Sequence, residues 1–468
     1  MHQLKFGLLI FMCISNFTLH AQTGSIQDMP VIKEEIKFVQ PIKWSRFRSM
    51  PAGTPQRVLM GKILLNTNKY ALTTWWEKRG FAGIPFQQYL DLQGITEHKI
   101  RPVAAEAEAL ATSLKTGLYQ PAYTGISVKE ATDKTLQLIR SLAHAHLANT
   151  PNGWGKAWQS PLWAAYTAFA AWSMWDNLDA YTRSEVLAMI NTECSWVMSN
   201  KGTPAIKTYR NKAGEIISPG DTGAEENAWD ASILGVACAM MPALPQQTAW
   251  KEQLIRLSLN AMARPSDVAS KELYTGITLS SWLTGSNINE DGTVVNHHFI
   301  HPDYMTSPYE LNSTKFFWLA GLPVPKAFAL NSDVLFHAFA DLKFNANDSI
   351  TGGRVQSPGG TIFKSGSGEI FYPIGTDWGQ LRRMNFALFN CSATVFTNDS
   401  LVRNRASDWE LRQAQVVLDM QHRFTDGHTY AGKQEDSYAS CEEWVADASM
   451  TAYILESLKT LGKPVFAN

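Results

Sequence analysis

The densest run of side chains able to move protons or hold a cation lies between Asn287 and Tyr304, reading Asn-Ile-Asn-Glu-Asp-Gly-Thr-Val-Val-Asn-His-His-Phe-Ile-His-Pro-Asp-Tyr. It brings three of the chain's eleven histidines, a tyrosine and three acids into one polar connection between helical patterns, where functional loops concentrate. Three chemistries fit these residue types. A solvated loop is the simplest. A metal centre would use His297, His298, His301 and Asp303, since imidazole and carboxylate are common ligands. The order His-His-x-x-His differs from the helical pair of histidines with a catalytic Glu between them, and Pro302 opposes a helix there, so no metal is expected. The third is acid/base chemistry by His297 and Tyr304, an imidazole that takes a proton near neutral pH beside a phenol that gives one or takes one. This third reading is the one favoured. No phosphate-binding glycine loop, dinucleotide fingerprint or nucleophile elbow is present, so no cofactor is expected either.

Asp291-Gly-Thr-Val-Val-Asn-His297 followed by Tyr304 resembles the Asp-Gly-Ser-Phe-x-Gln-His then Tyr motif of toroid polysaccharide lyases of the chondroitin AC and hyaluronate type. Upstream, Thr222-Gly-Ala-Glu-Glu-Asn227 is similar to their Thr-Gly-Ala-Asn-Arg stretch. The resemblance covers Thr222 to Tyr304. It implies that Asn227 neutralises a uronate carboxylate, and that His297 and Tyr304 serve as base and acid in β-elimination. Asn296 stands where the motif has Gln, and helices are expected almost to Asn468, where those enzymes carry β-sandwich domains. A toroid-only lyase, similar to the alginate and glucuronan lyases and to polysaccharide lyase family 38, is the closer resemblance. The expected substrate is then an anionic uronic-acid polysaccharide, alginate (mannuronan) or glucuronan first and a glycosaminoglycan second.

Substrate contacts are expected from Trp158 and Gln159 before one helix, from Glu226 and His298 beside the candidate catalytic residues, and from Arg354, Trp378 and Arg382 in or next to a Gly-rich stretch from 351 to 379. Aromatic rings with a polar edge suit stacking on sugars, and also suit helix cores. Two other functions remain open on these residues. An inverting glycoside hydrolase would draw its two carboxylates from Glu226, Asp230, Glu290 and Asp291. A glycan-binding protein without catalysis would need only the aromatic residues.

The elements that must position this chemistry are helices. Apolar residues recur at helical spacing from about residue 127 onward, as in Leu136, Ile139, Leu142, Leu147 and again in Val186, Met189, Ile190, Cys194, Val197. Capping boxes are predicted at Ser127-x-x-Glu130, Thr182-x-x-Glu185 and Ser407-x-x-Glu410. Further helices are predicted over 161–178, 227–241, 246–262, 306–322, 334–342, 382–396 and 441–461. Alternation is scarce outside the Gly-rich stretch, which reads as a small β-hairpin insertion, and residues 22–60 read as an extended wrap. The expectation is an all-α fold, an (α/α) toroid of helix pairs, occupying 22–468 as one domain.

Composition bounds the rest. With 41 Lys+Arg against 42 Asp+Glu the chain has no basic surplus, so nucleic acid is not expected as a partner. Residues 1–21 read as a secretory signal peptide, Lys5 preceding an apolar run from Phe6 to Leu19, which predicts an exported, periplasmic or secreted protein. No later apolar run reaches the length of a membrane span. Four cysteines beyond the leader, widely spaced and without a CxxC pair, read as buried thiols rather than a disulfide framework.

Overall fold

The computed structural model describes residues 35–51, 53–199, 206–310, 313–345, 359–371, 383–432, 435 and 441–467. The signal peptide expected at 1–21 and three expected substrate contacts, Arg354, Trp378 and Arg382, lie outside the described residues. Helices dominate: α1 (Pro55–Tyr70), α2 (Glu97–Thr116), α3 (Val128–His144), α4 (Ser160–Ser173), α5 (Ala180–Met198), α6 (Ala224–Met240), α7 (Gln247–Met262), α8 (Pro302–Glu310), α9 (Thr314–Ala320), α10 (Ser332–Ala340), α11 (Arg383–Phe396), α12 (Ser400–Gln421) and α13 (Cys441–Leu461). Strands among the described residues are two-residue pairs. β1 (Arg210–Asn211) pairs with β4 (Gly285–Ser286), β2 (Leu273–Tyr274) with β3 (Ile277–Thr278), and β5 (Val295–Asn296) with β6 (Phe299–Ile300), all antiparallel. β7 (Val324–Pro325) runs parallel to β8 (Phe466–Ala467). The all-α expectation holds, and no described helix is long and apolar enough to cross a membrane.

Two classes of helix alternate along the chain. α2 packs on α4, α4 on α6, α6 on α8 and α9, α8 on α11, α11 on α13, and α13 on α2, so this series of contacts closes on itself. Against it, from outside the series, α1 packs on α13, α3 on α2, α5 on α4, α7 on α6, and α10 and α12 on α11. Burial follows this division. Every residue of α4 is buried, and in α6 all but Trp229, because a helix covered on all sides can carry apolar and small residues around its whole circumference. α3 is amphipathic instead, burying Leu138, Ile139 and Leu142 and exposing Lys129 and Glu130. Contacts between their starts bring three helices of the series, α2, α4 and α13, together at one end. Arg101 in the first turns of α2 donates to Gln159, just before α4, at 3.2 Å and stacks over Trp444 in the first turn of α13 at 4.5 Å.

A buried polar network joins these helices, from the start of α9 to the interiors of α2, α4 and α13. Lys315 of α9, 3% exposed, donates to Thr451 at 2.6 Å and Asp447 at 3.5 Å on α13 and lies 3.9 Å from Glu108 on α2. Tyr166 of α4 donates to Asp447 at 3.2 Å. Burial holds Glu108 well above the usual carboxylate range, with Lys315 pulling the other way.

Several expectations change in detail. The described part of the expected extended wrap, from residue 35, carries helical turns at Ile36–Phe38 and Ser45–Arg48 and ends in α1, whose start carries a signal: Thr54 accepts from the Arg57 amide at 3.1 Å with Pro55 in the first helical position. α2 was not expected, since its buried face is built largely from alanines with Arg101, Glu106 and Glu108 among them. Of the three capping boxes, Ser127 caps α3 as expected, accepting from the Glu130 amide at 3.1 Å. α5 starts earlier than Thr182, whose amide donates to the true cap, Asp179, at 2.8 Å. α12 likewise starts at Asp399, leaving Ser407 mid-helix, where it accepts from Gln56 at 2.8 Å. The single helix expected over 306–322 is two, α8 and α9. In the Gly-rich stretch, Phe363 bridges Ile370 antiparallel, a hairpin contact too short to form strands. Cys194, Cys238 and Cys391 are buried free thiols.

Because Thr54 both caps α1 and donates to Glu456 of α13 at 2.9 Å, Thr54→Ala should cost about 1–2 kcal/mol of stability and Thr54→Ser much less, read from urea unfolding midpoints.

Candidate active site

The polar connection from Asn287 to Tyr304 folds as two tight turns, and each part has a physical reason. β4 brings Gly285 against Arg210, where a side-chain carbon would sit 1.9 Å from the Arg210 carbonyl oxygen, so only glycine fits. Asp291 closes the first turn by accepting from the Thr293 amide at 2.9 Å and hydroxyl at 2.7 Å. The second turn joins β5 to β6 through two residues, His297 and His298, with φ of 52° and 72°. Two successive positive values are the signature of a type I′ hairpin turn, which ordinarily takes Asn or Gly. Non-glycine residues held there cost energy, and such strain clusters at functional sites.

The turn aims its two imidazoles differently. His298 donates its amide to Gly220 at 2.9 Å and lays its ring where a side chain at Gly220 would be. His297 is exposed and turns its ring toward Tyr304, with centroids 5.5 Å apart. Tyr304 sits in the first turn of α8, and the buried ring of His301 meets it edge-on at 4.9 Å. His297, His301 and Tyr304 therefore form one ring cluster, with His297 and His301 at 6.1 Å. Asn296, immediately before His297 and 2% exposed, donates from Nδ2 to Asp221 at 3.0 Å and to Glu225 at 2.8 Å, while its Oδ1 faces His297 Nδ1.

The start of α6 forms the adjoining wall. Asn227 is buried and its amide clamps one residue: Oδ1 accepts from the Lys207 amide at 3.1 Å, and Nδ2 donates to the Lys207 carbonyl at 2.9 Å. The Lys207 ammonium, on a side chain 37% exposed, pairs with Glu226. Burial, and then the charge of Glu226, hold Glu225 well above the ordinary range; Glu226 is raised by burial and drawn back by Lys207. Asp230, one turn further and 3% exposed, is raised well above its usual range by burial, then by Glu226 and Glu193. Beside these acids, Trp158 stands 42% exposed with its ring edge-on to the half-buried Trp229 at 5.0 Å. Gln159, also an expected substrate contact, is 2% exposed and faces Arg101.

Two residues that the sequence reading passed over organise this wall. Asn287, 1% exposed, uses its whole carboxamide: Oδ1 accepts from Tyr209 at 2.8 Å and Gly223 at 2.9 Å, and Nδ2 donates to Lys207 at 2.9 Å and Asn260 at 2.7 Å. It ties the segment carrying Lys207, the start of α6 and the end of α7 to the loop that leads to His297. Lys207 is the other. Neither carried a signal beyond its residue type, since their partners lie between 19 and 80 residues away in sequence.

The remaining candidates separate. Of the carboxylates considered for hydrolysis, Glu290 is engaged by Ser266 at 2.6 and 3.0 Å and by Arg264 at 3.4 Å, and Asp291 is spent on its turn. Glu226 and Asp230 are buried one helical turn apart. The one described group whose ligand atoms converge as for a metal is Cys391, Glu410 and Glu456, all buried and far in sequence from the histidines. There the Lys459 ammonium already pairs with Glu456 and donates to Thr394 at 2.8 Å. Compared with models of known protein families and with curated proteins, the chain matches none.

Asn287→Ala strands four buried backbone groups, so it should destabilise the fold by about 3–4 kcal/mol at ~1 kcal/mol per bond, measured by chemical denaturation. The raised Asp230 binds its proton more tightly in the folded than in the unfolded chain, so its contribution to stability falls as pH rises above the ordinary Asp range. Stability of Asp230→Asn should therefore decline less than wild type between about pH 5 and pH 8 in paired melting curves.

Proposed function

We propose that this chain is an exported polysaccharide lyase on an (α/α) toroid that cleaves an anionic uronic-acid polymer by β-elimination. The observation that carries the reading is the imidazole of His297, held on a strained turn by a buried amide, with its ring 5.5 Å from that of Tyr304. The closed series of helix contacts supports the toroid, with α2, α4, α6, α8/α9, α11 and α13 inside and the others around them.

On this reading the starts of the inner helices gather at one mouth of that ring. Arg101, Trp158, Asn227, Tyr304, Arg383 and Trp444 all lie at or within two turns of such a start. Helix N-termini carry partial positive charge and unpaired N–H groups, so this mouth favours a polyanion although the chain as a whole is near neutral.

In the proposed reaction, His297 takes the proton from C5 of the uronate. The C5–H electron pair becomes the C4–C5 double bond, the C4–O4 bond breaks, and Tyr304 gives its proton to the departing O4. Charge developing on the carboxylate must be balanced for C5 to release its proton. Asn227 contributes by fixing Lys207, whose half-exposed ammonium beside Glu226 is the cation nearest to that role. Trp158 and Trp229 offer apolar ring surface for a neighbouring sugar.

With mannuronan, guluronan and glucuronan as substrates, His297→Ala and Tyr304→Phe should each lower kcat by about 100-fold or more while melting temperatures stay near wild type. Lys207→Ala should reduce kcat/KM without unfolding the protein. Wild-type rates in both His297→Ala and Tyr304→Phe would contradict the assignment. New reducing ends formed without a double bond would move the chemistry to hydrolysis.

A further inference from the structure

The base role of His297 requires a lone pair on the ring nitrogen that faces the substrate, and the structure holds a device that selects it. Asn296 is buried, and its Nδ2 lies within hydrogen-bond distance of two acids, Asp221 at 3.0 Å and Glu225 at 2.8 Å. Turning this amide over would exchange both donated bonds for its oxygen facing Asp221 and Glu225, and since burial favours the protonated form of Glu225, the lock from behind rests chiefly on Asp221. The atom left facing forward is Oδ1, which accepts hydrogen bonds and cannot donate. His297 Nδ1 meets that oxygen. A neutral imidazole carries its proton on one nitrogen only, and the hydrogen bond made by one nitrogen decides the state of the other.

We infer that Asn296, aimed by Asp221 and Glu225, is a positioning residue that fixes His297 as the Nδ1–H tautomer and so places the basic lone pair on Nε2. The inference rests on the lyase reading for its catalytic meaning. An Asp or Glu in place of the amide would raise the basicity of the ring through full charge; the carboxamide passes on only the direction of the bond, with Asp221 and Glu225 kept one side chain away. Glu225 reaches this position from the first turn of α6 and Asp221 from the segment just before it, so the start of α6 and the hairpin that carries His297 are coupled through one side chain. The same strand is pinned one residue earlier, where the Thr222 amide donates to the Val295 carbonyl at 2.9 Å.

The test is ¹⁵N NMR of histidine-labelled full-length protein at a pH where the His297 ring is neutral, with its signals assigned by loss in His297→Ala. Wild type should show the proton on Nδ1. Asn296→Ala should shift His297 toward the Nε2–H tautomer that unconstrained histidine side chains prefer, and should lower kcat on the order of 10-fold to 100-fold with little change in KM, the range for outer partners that orient imidazoles. Should that variant fold poorly, the Asp221→Asn/Glu225→Gln pair keeps Asn296 while removing the lock, and should produce the same tautomer shift. A wild-type ring protonated on Nε2, or a tautomer indifferent to both variants, would overturn the inference. A correct tautomer shift in a protein that eliminates no uronate polymer would instead remove the lyase reading and leave the orientation of His297 standing.

Discussion

The candidate site is assembled around the need to satisfy buried carboxamides, because an amide taken out of water and left unpaired costs more than the bond is worth when made. Asn287 meets that need with four backbone partners from three separate segments. Asn227 meets it with both backbone groups of Lys207, and Asn296 with two acids and an imidazole. Each amide can be satisfied only when the chain around it is in one arrangement. Together they hold Lys207, the start of α6 and the His297 turn in fixed relation, on a scaffold of buried helices that could not by itself position a loop.

Electrostatics give the same region its character. The acids Glu225, Glu226 and Asp230 are clustered and buried, and burial raises each of them. Lys207 brings a cation to this cluster through its pairing with Glu226. A site of this kind stores unfavourable desolvation and strain, including two histidines in the left-handed region, against the stability of the surrounding core. Such local conflicts with folding preference are expected where function, not stability, selects the residues.

The helical class and most boundaries from Pro161 onward were legible because fully apolar or amphipathic periodicity is a local signal. α11 and α13 fall within a residue of expectation, whereas α2 was hidden by a face of alanines interrupted by buried charged residues. Two of three capping boxes misled, since Ser/Thr-x-x-Glu also occurs inside helices, and Asp179 and Asp399 were the caps in use. His297 and Tyr304 could be picked out as types in a dense polar run, and the fold brings their rings together. Lys207 and Asn287 could not, because what distinguishes them is partners distant in sequence; Asn296 stood out only as the residue in place of Gln, and its partners Asp221 and Glu225 are equally distant. Gln159 shows the reverse: a polar residue next to an exposed tryptophan that the fold turns inward to Arg101.

The most direct test of the account is ultraviolet absorbance of separate mixtures of the purified protein with mannuronan, guluronan, glucuronan, hyaluronan and chondroitin. β-Elimination leaves a double bond conjugated to the carboxylate of each new non-reducing end, so the account predicts a steady rise in absorbance with at least one of these polymers. Flat traces with all five, alongside new reducing ends in any of them, would contradict it.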